Sequence, residues 1–241
     1  YWQANFIFLL ASFICCTIQV LFGYKETNHS LHPSRLELHY IKRVYKLILS
    51  HTPFRGYAYC TMLTMLGYFA WIITLPIFII SNAGWSPSEF GLMMLYVTLT
   101  SMIFGGFLNS LAIKYFNIST IFKFAWTLMI LSGLTLIVSE YYYGFNIDII
   151  IACMFVYFLA SSFLWPNYYI EAFAPFHEQS GYANGAYGSL QLLGSSLSAF
   201  ILAPLPESSA TALGCILTIT SILCWLNYTL KITMYIKKEN S

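Results

Sequence analysis

Tyr57-Ala58-Tyr59-Cys60-Thr61-Met62-Leu63-Thr64-Met65-Leu66-Gly67-Tyr68-Phe69-Ala70-Trp71-Ile72-Ile73-Thr74-Leu75-Pro76-Ile77-Phe78-Ile79-Ile80 runs for 24 residues without an Asp, Glu, Lys or Arg. A helix needs about 20 such residues to cross the hydrocarbon core of a bilayer. Lipid offers no partner for backbone polar groups, so a spanning segment of this kind must be helical. Working outward, six more stretches fit: Trp2–Phe22, Phe90–Ile113, Thr120–Ser139, Ile147–Tyr168, Tyr182–Ala203 and Ala210–Ile232. The expected fold is an all-α membrane protein with seven transmembrane helices.

Composition agrees. Of 241 residues, 59% are hydrophobic and 8% charged, against about 25% charged in soluble domains. A water-soluble globule cannot bury that much apolar surface, and a disordered chain would not carry it. Aromatics at 19% suit interfacial belts. The formal charge of +2 is too small to point to nucleic acid. All six cysteines (Cys15, Cys16, Cys60, Cys153, Cys215 and Cys224) lie in apolar stretches. They form no CxxC and no Cys/His cluster, so neither a disulfide framework nor a metal site is expected. No catalytic constellation, cofactor or enzymatic activity is expected either.

The positions of the charges carry more than their sum. Lys25, Arg35, Lys42, Arg43, Lys46 and Arg55 follow the first span, Lys114 and Lys123 flank the third connection, and Lys231, Lys237 and Lys238 close the chain. The connections Ser81–Glu89, Glu140–Asn146 and Pro204–Ser209 contain no Lys or Arg. All eleven basic residues therefore fall on one side, which the positive-inside rule makes the cytoplasm, with the C-terminus in it. The long first connection reads as an amphipathic helix. Ser34-Arg35-Leu36-Glu37 is a capping box, Leu38, Ile41, Tyr45 and Ile48 recur at helical spacing, and the cations fall elsewhere on the wheel. Its alternative is a solvated linker. Ser86-Pro87-Ser88-Glu89 marks a sharp start for the third span.

The spans hold no charge in their cores; Glu140 and Asp148 sit at the outer rim, Glu171 and Glu178 at the inner. A carboxylate for ion coupling is thus expected outside this segment. Tyr57, Thr61, Thr64, Tyr68 and Trp71 share one face of the second span, and Asn184, Tyr187 and Gln191 one face of the sixth. Tyr68, Trp71, Tyr157, Asn184 and Gln191 are the candidates to line a substrate cavity; interhelical hydrogen bonding is the competing use of such residues. Gly105, Gly106, Gly181, Gly185 and Gly188 are expected at close helix contacts. Pro76 and Pro166 are expected to kink their helices. The order proline, glycine-rich, plain occurs twice over the last six spans, as a three-plus-three repeat would give.

More specific motifs follow. Leu49-Ser50-His51-Thr52-Pro53-Phe54-Arg55-Gly56 precedes the second span, Gly84-Trp85-Ser86-Pro87-Ser88-Glu89-Phe90-Gly91 opens the third, and Pro166-Asn167 precedes Ala174-Pro175-Phe176-His177-Glu178-Gln179-Ser180-Gly181-Tyr182-Ala183-Asn184-Gly185. Together they resemble the Bcr/CflA-type drug–proton antiporters of the major facilitator superfamily, along nearly the whole chain. Lys25-Glu26-Thr27 resembles the end of that family's sixth helix, and Ser180 and Asn184 depart from its more common alanines. The resemblance implies the last seven helices of a twelve-helix fold. Residues 1–24 would be the last helix of an N-terminal bundle, 25–56 a cytoplasmic linker, 57–232 a six-helix C-terminal bundle and 233–241 a tail. It implies multidrug efflux from a bacterial inner membrane, with membrane lipid, a small-molecule substrate, protons and the missing N-terminal half as partners. Spans two, three, five and six would face the cavity, and spans four and seven the lipid. A degenerate transporter remnant and a complete seven-helix receptor are the alternatives; the receptor lacks its expected inner-end motifs and outer-loop cysteines.

Overall fold

The computed structural model describes residues 2–25, 37–205 and 209–235, all of whose regular structure is helical. Arg35, Lys237, Lys238 and the Ser34 end of the capping box lie outside the described residues. Two units are distinct, residues 1–41 and 42–241. The first contains α1 (Trp2–Gly23), a 22-residue helix that is apolar all round, as a membrane helix should be.

The second unit is a helical bundle. It begins within α2 (Leu38–Ser50), whose buried residues are Val44 and Ile48 while Lys42, Arg43 and Lys46 are exposed. The expected amphipathic helix is present, but its apolar stripe centres on Val44 and Ile48, and Tyr45 packs edge-on against Tyr182 at 6.0 Å. The helix thus sits on the bundle through the face that could have entered lipid.

The expected second span is α3 (Thr52–Pro76), capped by His51, whose Nδ1 accepts from the Phe54 backbone N–H at 3.3 Å. Pro76 has no N–H to give, and beyond it the chain runs on as a π-helical turn, Ile77–Asn82. α4 (Pro87–Tyr115) starts with a complete capping box: Ser86 Oγ accepts from Glu89 N–H at 3.3 Å, and Glu89 accepts from Ser86 N–H at 2.8 Å. α5 (Ile118–Tyr143) stops at Gly144, whose φ of +68° suits glycine. α6 (Ile147–Phe173) is capped by Asn146 and contains Pro166 within its helical span. α7 spans Ser180–Leu202, and α8 (Ala210–Asn227) ends in a second π-helical turn, Tyr228–Ile232.

Among the described residues six helices are long and apolar enough to cross a membrane, one fewer than expected. The exception is α7. Its 23 residues reach about 34 Å at 1.5 Å per residue, so length is not what sets it apart. Its serines and glycines, with Asn184 and Gln191, lower its apolarity.

Helix packing here rests on close backbone approach rather than on hydrophobic segregation, because lipid is as apolar as leucine. α3 lies centrally against α6, α7 and α8, and α5 packs on α6 and α8. The two spans read as plain meet backbone to backbone: a Cβ on Gly133 would lie 2.7 Å from the Gly214 carbonyl oxygen. Gly194 of α7 abuts the Met62 backbone of α3. The buried face of α4 is Ser101, Gly105 and Asn109, one residue per turn. It meets α6, where Ser162 Oγ donates to the Ser101 carbonyl at 3.1 Å and Asn167 Nδ2 donates to Asn109 Oδ1 at 2.8 Å.

The ends of the bundle differ. Tyr57, at the start of α3, lies 6.0 Å from Phe122 on α5 and 6.4 Å from Tyr228 of the π-helical turn after α8. Arg55, Lys123 and Lys231 are their near neighbours in sequence, so these cations gather at one end. At the other, Phe78 and Phe145 meet at 6.2 Å, and Glu140 accepts from Ser209 Oγ at 3.3 Å and from the Thr211 backbone N–H.

Candidate functional site

An open groove of about 260 Å³ lies between α3, α4 and α6. Three aromatic residues shape it. Tyr68 stacks on Phe158 with centroids 4.6 Å apart and planes at 24°, and meets the edge of Trp165 at 5.5 Å. Thr98 and Met102 from α4 and Ser161 from α6 complete the wall. Ser161 and Ser162 donate to carbonyls of their own helix, Tyr157 and Phe158. Among the described residues, the buried indole N–H of Trp165 has no hydrogen-bond partner and the Tyr68 hydroxyl makes no hydrogen bond. No charged side chain lines the groove. The arrangement suits a flat, uncharged or diffusely charged group that carries a hydrogen-bond acceptor.

Of the five expected cavity residues, Tyr68 alone lines this groove. Trp71 is completely buried. Tyr157 is too: its hydroxyl donates to the Thr64 carbonyl at 3.4 Å, in the space left by the missing side chain of Gly67. Both therefore pack the core instead of facing an opening. Most of the polar stripe on α3 does the same. Tyr57 donates to Glu171 at 3.4 Å, and Thr61 is hydrogen-bonded to Tyr187 of α7.

Asn184 is exposed and Gln191 half-buried on α7. With Gly188 and Ser195 they occupy one arc of that helix, beside the arc of Ala183, Tyr187, Gly194 and Ser198 that packs inward. Tyr187 thus parts from the two amides: it is buried and they are not. Among the described residues of this arc, Asn184 is exposed and Gly188, Gln191 and Ser195 are half-buried.

The expected packing glycines divide. Gly105 abuts the Leu159 carbonyl and Ser162, and Gly185 approaches the Tyr45 hydroxyl. A Cβ on Gly106, Gly181 or Gly188 would meet nothing within 4 Å, so these three are not close contacts among the described residues. Trp165 and Asn109 are the residues that sequence reasoning undervalued. Asn109 falls four residues after Gly105 and eight after Ser101, a signal available in the spacing.

The sequence matches the family model described as Major Facilitator Superfamily over residues 1–199. The chain belongs to the major facilitator superfamily. It is accordingly a multi-pass integral membrane transport protein, and its long apolar helices fit that membership. No curated protein matches the chain significantly. In this major facilitator protein, Tyr68 lines the aromatic groove, and Asn184 and Gln191 lie on α7 outside its buried arc.

Proposed function

We propose that this transporter exports drugs or small amphipathic metabolites in exchange for protons, as Bcr/CflA-type antiporters do, from a bacterial inner membrane with its C-terminus in the cytoplasm. The observation that carries the reading is the arc of Asn184, Gly188, Gln191 and Ser195 on α7. Polar groups facing lipid are costly, so such an arc belongs against water or against another helix bundle. A second bundle opposite α7 and the Tyr68 groove would enclose a cavity with aromatic walls and amide donors, suited to amphipathic solutes.

On this reading α3–α8 form one lobe, and rocking against the second lobe opens the cavity to each side in turn. The described carboxylates of the lobe sit at helix ends: Glu89 in a capping box, Glu140 on the start of α8, Asp148 in the first turn of α6, Glu171 beside Tyr57 and Glu178 just before α7. Proton exchange at mid-membrane would therefore use a residue of the opposite lobe. The gathering of Arg55, Lys123 and Lys231 at one end supports a cytoplasmic face there.

The test is efflux of an aromatic dye from cells that express the full gene, with and without an uncoupler. Export that stops when the proton gradient collapses is the expected result. Export that continues at the same rate contradicts proton exchange.

A further inference from the structure

We propose that the groove between the start of α3 and the end of α8 binds the phosphate of an anionic phospholipid headgroup. The inference is independent of the transported solute.

Two cationic side chains without carboxylate partners among the described residues meet there. The groove, about 230 Å³, is lined by Thr52, Arg55, Gly56, Tyr59, Asn227 and Lys231. Among the described residues, the Arg55 guanidinium makes one long hydrogen bond, 3.5 Å to the Thr52 hydroxyl, and Lys231 has no ionic partner. Like charges repel, and a pair left without a counter-charge at one groove favours an anion. Arginine matches phosphate oxygens with its planar fork, and lysine adds a compact charge. Thr52 is also the first residue of a 25-residue helix, whose N-terminal end carries partial positive charge.

The backbone brings the two cations together. Gly56 has no side chain, and a Cβ there would lie 2.6 Å from Ile232. The π-helical turn Tyr228–Ile232 can therefore close on α3 and carry Lys231 to the groove. Asn227 fixes the approach: its Nδ2 donates to the Gly56 carbonyl at 2.9 Å and lies 3.2 Å from Cys60 Sγ. Its donors are engaged, so it serves as wall and not as anion ligand.

The site's place in the fold argues for a lipid over a soluble anion. Tyr59, one turn above Arg55, and Leu223, one turn above Asn227, are each 39% exposed. They share faces with the groove residues and offer apolar surface to acyl chains. Basic pockets between helices at the cytoplasmic side of membrane proteins are a known way to hold anionic headgroups.

The experiment uses the purified full chain in zwitterionic detergent. Native mass spectrometry counts retained phosphatidylglycerol and phosphatidylcholine, and thermal melting is followed with each lipid and with inorganic phosphate. Phosphatidylglycerol should be retained selectively and raise the melting temperature; phosphatidylcholine and inorganic phosphate should not. The variant R55Q/K231Q should lose about thirtyfold in phosphatidylglycerol affinity, while K46Q on α2 should retain it. If the double variant folds poorly, K231Q alone should lose about fivefold. Unchanged phosphatidylglycerol binding in K231Q overturns the proposal. An equal response to inorganic phosphate overturns the lipid assignment, and failure to prefer phosphatidylglycerol over phosphatidylcholine overturns the site.

Discussion

Gly133 of α5 and Gly214 of α8 stand backbone against backbone. A Cβ on the first would lie 2.7 Å from the carbonyl oxygen of the second, and the reciprocal distance is 2.6 Å. Neither helix has room for a side chain at this crossing. Leucine at either position should therefore force the helices apart, at a cost of about 1–3 kcal/mol for overpacking. G133L and G214L should lower membrane yield and detergent melting temperature, whereas G106L, which meets open space, should leave both unchanged.

The Asn109–Asn167 hydrogen bond joins α4 to α6 at 2.8 Å within buried surroundings. Asn167 also donates to the Phe163 carbonyl at 2.7 Å, so it keeps one partner if Asn109 is lost. A double-mutant cycle with N109A and N167A should give a coupling of about 0.6 kcal/mol, within a ceiling of about 1.7 kcal/mol. Strict additivity in thermal or denaturant unfolding would remove the bond from the account.

Glu140 reaches from the end of α5 to the start of α8, where it accepts from the Thr211 N–H and from Ser209 Oγ. Ser209 in turn accepts from Ala212 N–H at 3.1 Å. A negative charge at a helix N-terminus is favourable, and loss of such a cap costs about 1 kcal/mol. E140A should lower the melting temperature, and E140Q, which retains an acceptor oxygen, should recover part of the loss. Equal melting of E140A and the parent protein would argue against the cap.

The solute reading makes its own demand. Y68F, W165F and Q191L remove a hydroxyl, an indole N–H and an amide from the groove and from the α7 arc. Each should change the relative export of different dyes while membrane yield stays within about twofold, since single losses of this kind are worth about 1 kcal/mol. Identical export profiles in all three would detach these residues from substrate handling.

The helices themselves were legible in the sequence, because uncharged runs of more than 20 residues have one outcome in lipid. The capping box at Ser86 and the gathering of cations were legible for similarly local reasons. The side chains at helix contacts were less so. Gly133 and Gly214 are lone glycines in Leu- and Ile-rich spans, and their contact depends on the rotation of two helices about their axes. Gly181 and Gly185 have the four-residue spacing of a packing seam, yet a Cβ on Gly181 would meet nothing within 4 Å. Tyr157 and Trp71 have the spacing of a cavity wall, but the space over Gly67 draws Tyr157 inward. Periodicity names the face; helix rotation decides what that face meets.

The central claim is that α3–α8 alternate across the bilayer, with the more polar α7 crossing like the others. Cysteines placed at Lys46, Lys123, Tyr142, Ser180, Ala203 and Lys231, one at a time in a background lacking the six native cysteines, report this through an impermeant maleimide in vesicles of known orientation. The account predicts that positions 46, 123, 180 and 231 label from one side, and 142 and 203 from the other. Labelling of 180 and 203 from the same side, or of 123 and 231 from opposite sides, would contradict it.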